Sequence, residues 1–239
     1  MKSGFSIELL QAINEWQRGG DAKQKKRRGS ALKELSSSLP EQFRCTSESC
    51  FRQIALDESA VWNIGTEYKI SESLSSWTES IDVAKELKGG VPPLSYQGVI
   101  FCISPNRDAV IVNLARLFSD PGFCASLEEK KSEVKDFDKG IGRYGGSQKE
   151  VVIEKDTLPL GSLYAWGGYT SPEEELARMF IGTQPTSTQM EWFRNLMVQV
   201  GRAPGPCWIS DSDAVARVSE KLKFHGTRLA KLKTGQDRA

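Results

Sequence analysis

The sequence predicts an α+β protein built on antiparallel or mixed sheet, and three observations lead there. Short β-branched and aromatic runs crowd residues 50 to 166, punctuated by Gly, Pro, Asn and Asp. Helical periodicity marks the flanks on both sides. The helices expected among the short runs are not regularly interleaved, which disfavours a parallel βαβ arrangement.

Taken in order, Phe5, Leu9, Ile13 and Trp16 recur at three- and four-residue steps and predict an amphipathic helix over residues 5 to 18, ending at Gly19-Gly20. Residues 23 to 28, KQKKRR, hold five positive charges in six positions. They read as a solvated loop, with contact to a substrate phosphate as the sharper alternative. Ser30 then caps a short helix, ALKELSSSL, that stops at Pro40. FRQIAL, YKI, LSSW, GVIFCI, AVIVNL, KEVVI and SLYAW are the expected strands, with helices at 80 to 88 and about 126 to 137. Helical pattern returns over 172 to 200, opening at Ser171-Pro172-Glu173, and over 211 to 233, with GRAPGPCW between. Trp192, Phe193, Leu196, Met197 and Val200 form an apolar face there. The organisation expected is an N-terminal helical segment (1–44), a core (45–170) and a C-terminal helical extension packed on it (171–239).

Composition closes several routes. Of 239 residues 38% are apolar and 26% charged, the profile of an ordinary soluble protein, and a formal charge of +1 gives no global attraction to nucleic acid or anionic membrane. No stretch has the apolar length of a membrane-spanning helix, and no small-residue cleavage site follows the first apolar run, so a cytoplasmic protein away from membranes is expected. Five scattered cysteines without CxxC spacing read as free thiols, a stapled secreted fold being the weaker alternative, and with only His225 to join them no metal site is expected. His225 sits in a basic stretch and reads as a surface residue, so a Ser-His-Asp or Cys-His device is disfavoured. Neither GxxxxGK[ST] nor a GxGxxG opening a helix occurs.

What remains is a set of side chains in a telling order. In FRQIAL, alternation puts Arg52 on a face with Ile54 and Leu56, where a guanidinium needs an anionic partner, a carboxylate or a ligand phosphate. SLSSWTES places hydroxyls around Trp77 ahead of a helix, to cap it or to orient a ribose. GRYGGSQKEVVI is a glycine-rich aromatic turn running into Gln148, Lys149 and Glu150, and a strand would set Gln148 and Glu150 side by side on one face.

Arg in a first strand, Ser-Trp-Thr before a helix, two strands, then an aromatic-glycine turn and Gln-x-Glu: over about residues 45 to 167 this resembles the mono-ADP-ribosyltransferases of the Arg-Ser-Glu class. That family includes clostridial Rho-modifying exoenzymes, binary actin toxins and the Alt and Mod enzymes of T-even phages. The resemblance implies a mixed or antiparallel β-sandwich core binding NAD as a substrate, with no metal. It implies that Arg52 holds the NAD phosphates and ribose, and that Ser76, with Trp77 and Thr78 in its element, supports the nicotinamide-ribose pocket. Glu150 would be the catalytic glutamate, Gln148 the acceptor-facing residue, and Tyr144 the aromatic of the recognition turn. The chain departs from the family in lacking a proline after Ile153 and in having Trp77-Thr78 where the toxins have Thr-Ser.

The expected activity is transfer of ADP-ribose from NAD to a macromolecule with release of nicotinamide. An NAD glycohydrolase on the same fold is the alternative, and a non-catalytic binding or structural protein the third reading. In the family a Glu at the first position of the triplet accompanies arginine targets. Gln148 cannot act as a base, which favours protein Asn or Gln, or a nucleobase, as acceptor. The basic residues 23 to 28 and 221 to 233 would suit nucleic acid.

Overall fold

The computed structural model describes residues 4–63, 67–169, 173–200 and 207–234. In chain order the elements are α1 (Ile7–Gln17), α2 (Ala22–Ser36), β1 (Cys50–Leu56), α3 (Glu58–Asn63), β2 (Glu67–Lys69), β3 (Leu74–Thr78), α4 (Ile81–Glu86), β4 (Gln97–Ile103), β5 (Val110–Asn113), α5 (Leu114–Ser119), α6 (Pro121–Lys130), α7 (Ile141–Tyr144), β6 (Glu150–Glu154), β7 (Thr157–Pro159), β8 (Leu163–Tyr169), α8 (Glu173–Ile181), α9 (Ser187–Gln199), β9 (Cys207–Ile209) and α10 (Ser212–Thr234). The main sheet runs β5-β6-β3-β1-β4-β8-β9, and β2 pairs with β7 in a second, two-stranded sheet. The α+β expectation holds, on antiparallel pairing.

Two compact units share the chain: residues 1–52, 66–84 and 101–162 make the first, and residues 53–65, 85–100 and 163–239 the second. In the first, β6 is flanked by β3 and β5, and its three consecutive β-branched residues Val151, Val152 and Ile153 are wholly buried. A strand covered on both faces needs an unbroken apolar run, and this one has it. The core beneath gathers Leu10 and Ile13 of α1, Leu32 of α2, Val112 and Leu114, Phe123 and Val152. In the second unit Ala177, Met190 and Phe193 form a small core, and the Trp166 indole donates to Ser219 on α10 at 3.4 Å.

Helix α1 sits close to its predicted span, with Ser6 accepting from Leu9 N at 3.2 Å. The run KQKKRR does not form a loop: it lies inside α2. Asp21 starts that helix with a capping box, accepting from Gln24 N while the Gln24 side chain answers Asp21 N. Partners remote in sequence absorb half of its charge, Lys25 pairing with Glu72, Arg28 with Glu15 and Lys33 with Glu154. Ser30 is therefore mid-helix and donates back to Lys26 O instead of capping. The helix expected at 126 to 137 starts earlier, because Asp120 caps it through Phe123 N and Pro121 fills its first turn. On α9 the predicted apolar face is only partly covered: Phe193 is buried, whereas Trp192 and Val200 are 52% and 59% exposed. The start signal at Ser171-Pro172 and residues 201 to 206 of the separating segment lie outside the described residues.

Buried Asn14 fastens α1 to the segment ahead of β6. Its amide donates to Lys135 O at 2.9 Å and its oxygen accepts from Ile141 N at 2.8 Å. Gly140 permits that approach, since a Cβ there would stand 2.3 Å from Asn14 O.

Candidate active site

The site grows from neighbouring strands of the first unit. Phe51 of β1 faces Thr78 of β3, and Thr78 faces Glu150 of β6. Ser76, two residues before Thr78, is thus the diagonal neighbour of Glu150 on the same sheet face, within reach of a short side chain. Its hydroxyl donates to Glu150 Oε1 at 2.5 Å. Arg52, next to Phe51, donates from Nη1 to the Ser76 carbonyl at 3.0 Å. Residues 24 and 74 positions apart are thereby joined in one cluster.

Two further residues complete it. The Trp16 indole N–H donates to Glu150 Oε1 at 2.7 Å, and the Gln17 amide donates to Gly145 O at 3.0 Å and reaches Glu150 Oε2 at 3.4 Å. The sequence marks Trp16 only as part of an apolar face and gives Gln17, inside the same predicted helix, no role. The available signal was the indole N–H, which requires a partner wherever the ring is covered. An ion network holds this end of α1: Arg18 meets Glu15 at 2.7 Å and Asp136 at 3.0 Å, and Arg28 meets Glu15 at 2.8 Å and also bonds Gly19 O.

The carboxylate is 4% exposed, while Ser76 is exposed, so solvent meets the cluster at the serine. Burial pushes the Glu150 carboxyl above the usual carboxylate range, against the hydrogen bonds from Ser76, Trp16 and Gln17 and the Arg52 charge. Burial likewise pushes Arg52 down, opposed by Glu72, Tyr68 and Glu150. Arg52 Nε and Gln17 Oε1 are buried atoms without a hydrogen-bond partner.

The other predicted residues lie in more varied places. Thr78 is buried and its hydroxyl donates to Gln148 O at 2.7 Å, fastening the turn to β3. Trp77 points into the core, 2% exposed, its indole donating to Ser75 Oγ at 3.0 Å, so it does not share the face of Ser76. Gln148 is not in the strand: β6 begins at Glu150, and Lys149 between them has φ +45°. The expected side-by-side strand geometry of Gln148 and Glu150 is therefore absent, because a left-handed residue breaks the two-residue alternation. Tyr144 ends α7, half-buried, with the Arg143 guanidinium 5.2 Å from its ring centre.

A groove of about 750 Å³ lies at the same turn, lined by Gln42, Glu79, Arg116, Phe118, Gly146 and Lys149 among others, and by none of Arg52, Ser76 and Glu150. The groove and the carboxylate cluster are separate places, and it is at Glu150 that buried, charged and orphaned polar groups gather. The Cys50 thiol is pushed up to about 12, chiefly by burial, and is no nucleophile. Among the described residues no group of three His, Cys, Asp or Glu could hold a metal ion, and no helix is long and apolar enough to cross a membrane. No family model, no curated protein and no solved structure matches this chain.

Proposed function

We propose that the chain transfers ADP-ribose from NAD to a macromolecular acceptor and releases nicotinamide. One observation carries this reading: Ser76 Oγ holds Glu150 Oε1 at 2.5 Å while Arg52 Nη1 holds the Ser76 backbone at 3.0 Å. The arrangement joins the arginine, serine and glutamate on which the sequence resemblance rests.

The chemistry suits these groups. The bond from nicotinamide N1 to ribose C1′ breaks with its electron pair on the leaving ring, which departs neutral. Positive charge builds on the ribose, and an oriented carboxylate beside it lowers that barrier without solvent reorganisation. Glu150 supplies the negative charge. Arg52 has a buried donor to spare and binds the pyrophosphate. The acceptor atom then bonds to C1′ and gives up its proton to solvent. Gln148 takes no proton and pairs with an amide-like group, so Asn or Gln side chains and nucleobases precede arginine as acceptors. Lys23, Lys26 and Arg27 are exposed at helical spacing on α2. They give a nucleic-acid acceptor a phosphate contact on the first unit.

The test is nicotinamide release from NAD by wild type and Glu150→Gln, with protein-only and RNA-only fractions of a lysate. Glu150-dependent release that rises with one fraction supports transfer and identifies the acceptor class. Release indifferent to both fractions makes the enzyme a glycohydrolase, and no release removes the enzymatic reading.

A further inference from the structure

Buried polar atoms without partners are uncommon in folded proteins and ask for a reason. Three occur among the described residues, and two of them, Gln17 Oε1 and Arg52 Nε, belong to side chains that surround Glu150. The Gln17 amide cannot simply be turned over to remove its orphan. Its nitrogen already donates to two oxygens, Gly145 O and Glu150 Oε2, and reversing it would set oxygen against oxygen. The orphan is therefore a true acceptor awaiting a donor.

The carboxylate shows the same asymmetry. Oε1 receives both short hydrogen bonds, from Ser76 at 2.5 Å and Trp16 at 2.7 Å, whereas Oε2 receives only the 3.4 Å contact from Gln17. Oε2 retains capacity for a donor. Two neighbouring acceptors and one orphaned donor match adjacent hydroxyl groups, each of which donates and accepts.

We infer that the last turn of α1 is part of the ligand site: Gln17 Oε1 and Glu150 Oε2 together receive the two hydroxyls of a ribose vicinal diol, and Trp16 is the positioning residue that ties up Oε1 so that Oε2 faces the ligand. The inference rests on the proposed use of NAD, whose nicotinamide ribose carries such a diol, and it adds residues outside the segment that resembles the transferases.

Two measurements test it, titration of full-length protein with ADP-ribose and the kinetics of nicotinamide release from NAD. Gln17→Ala should weaken ADP-ribose binding and raise KM for NAD about tenfold, the effect of leaving one ligand hydroxyl unpaired. Gln17→Asn, which keeps the amide, guards against a folding artefact and should lie between. With Gln17 Oε1 receiving the 3′-hydroxyl and Glu150 Oε2 the 2′-hydroxyl, an NAD analogue lacking the 3′-hydroxyl of the nicotinamide ribose should not distinguish Gln17→Ala from wild type. Trp16→Phe should lower kcat and move the acid limb of the rate upward, since the carboxylate loses a donor. Equal binding and KM in wild type and Gln17→Ala overturns the diol subsite, and so does a deoxy analogue that still separates them. Faster release by either variant overturns it in favour of a helix end that merely covers Glu150. If wild type releases nothing from NAD, the transferase reading falls by itself. ADP-ribose titration then decides the subsite alone: weaker binding by Gln17→Ala supports it, and no difference or no binding overturns it.

Discussion

Trp16 and Ser76 donate to one and the same oxygen, Glu150 Oε1, the first from α1 and the second from β3. A carboxylate gripped on one oxygen is fixed in rotation and presents the other, an arrangement that serves an electrostatic role better than a mobile acid.

Glu150→Gln keeps the side chain's shape and removes its charge. Nicotinamide release should fall by about two orders of magnitude or more, with NAD binding largely kept, because the lost interaction belongs to the transition state. Separate kcat and KM values, with NAD titration, check this.

Activity and stability should respond oppositely to pH. The anion is the working form, and burial raises its pKa, so release should fail on acidification at a pH above the ordinary glutamate value of about 4.3. Between that unfolded value and the raised folded one, the native state binds more protons than the unfolded chain. The stability due to this group is thus fully present at low pH and declines as pH rises through the folded pKa. Denaturant melts across this range should show the decline in wild type and lose it in Glu150→Gln.

Arg52→Lys should behave as a loss. Lysine keeps the charge but cannot both hold Ser76 O and offer a second donor from a planar fork. KM for NAD should rise about tenfold or more, the value of one charge-assisted hydrogen bond.

Gly140→Ala tests the seam between α1 and β6 without touching the site. The new methyl would meet Asn14 O at 2.3 Å and Asn14 Oδ1 at 2.5 Å. Overpacking of this kind costs about 1–3 kcal/mol. Urea unfolding should show that loss, and release should drop as α1 lifts its indole from Glu150.

Thiol labelling should discriminate sharply. Cys124 is exposed and should react with iodoacetamide near pH 8, whereas buried Cys50, at about 12, should stay silent until the chain unfolds. Mass spectrometry of native and urea-treated protein reads this directly.

Much of the sheet was legible because its signals are local. Val151 to Ile153 announce a buried strand, and the Ser76 to Thr78 and Glu150 segments lie where their β-rich texture puts them. The basic run is not legible as helix, since it is Glu15 and Glu72, outside the run, that pair with its Arg28 and Lys25. Gln148 was misplaced because period-two reasoning presumes extended backbone, and Lys149 adopts a left-handed conformation that lysine rarely signals. Trp16 reads as a hydrophobic position at helical spacing, whereas its N–H carries the more informative contact. Pairing across long sequence separation determines these features, and no window on the sequence contains it.

That separation has a consequence in time. Trp16 and Glu150 are 134 residues apart, and the loop between them must close before the carboxylate gains its second donor. Contacts so distant form late and slowly compared with local ones. During synthesis the N-terminal helix and the serine that hold the glutamate, and the arginine that holds the serine, all emerge before it. The site's last residue arrives with β6, and the insertion of that strand between β3 and β5 is the event that creates the site.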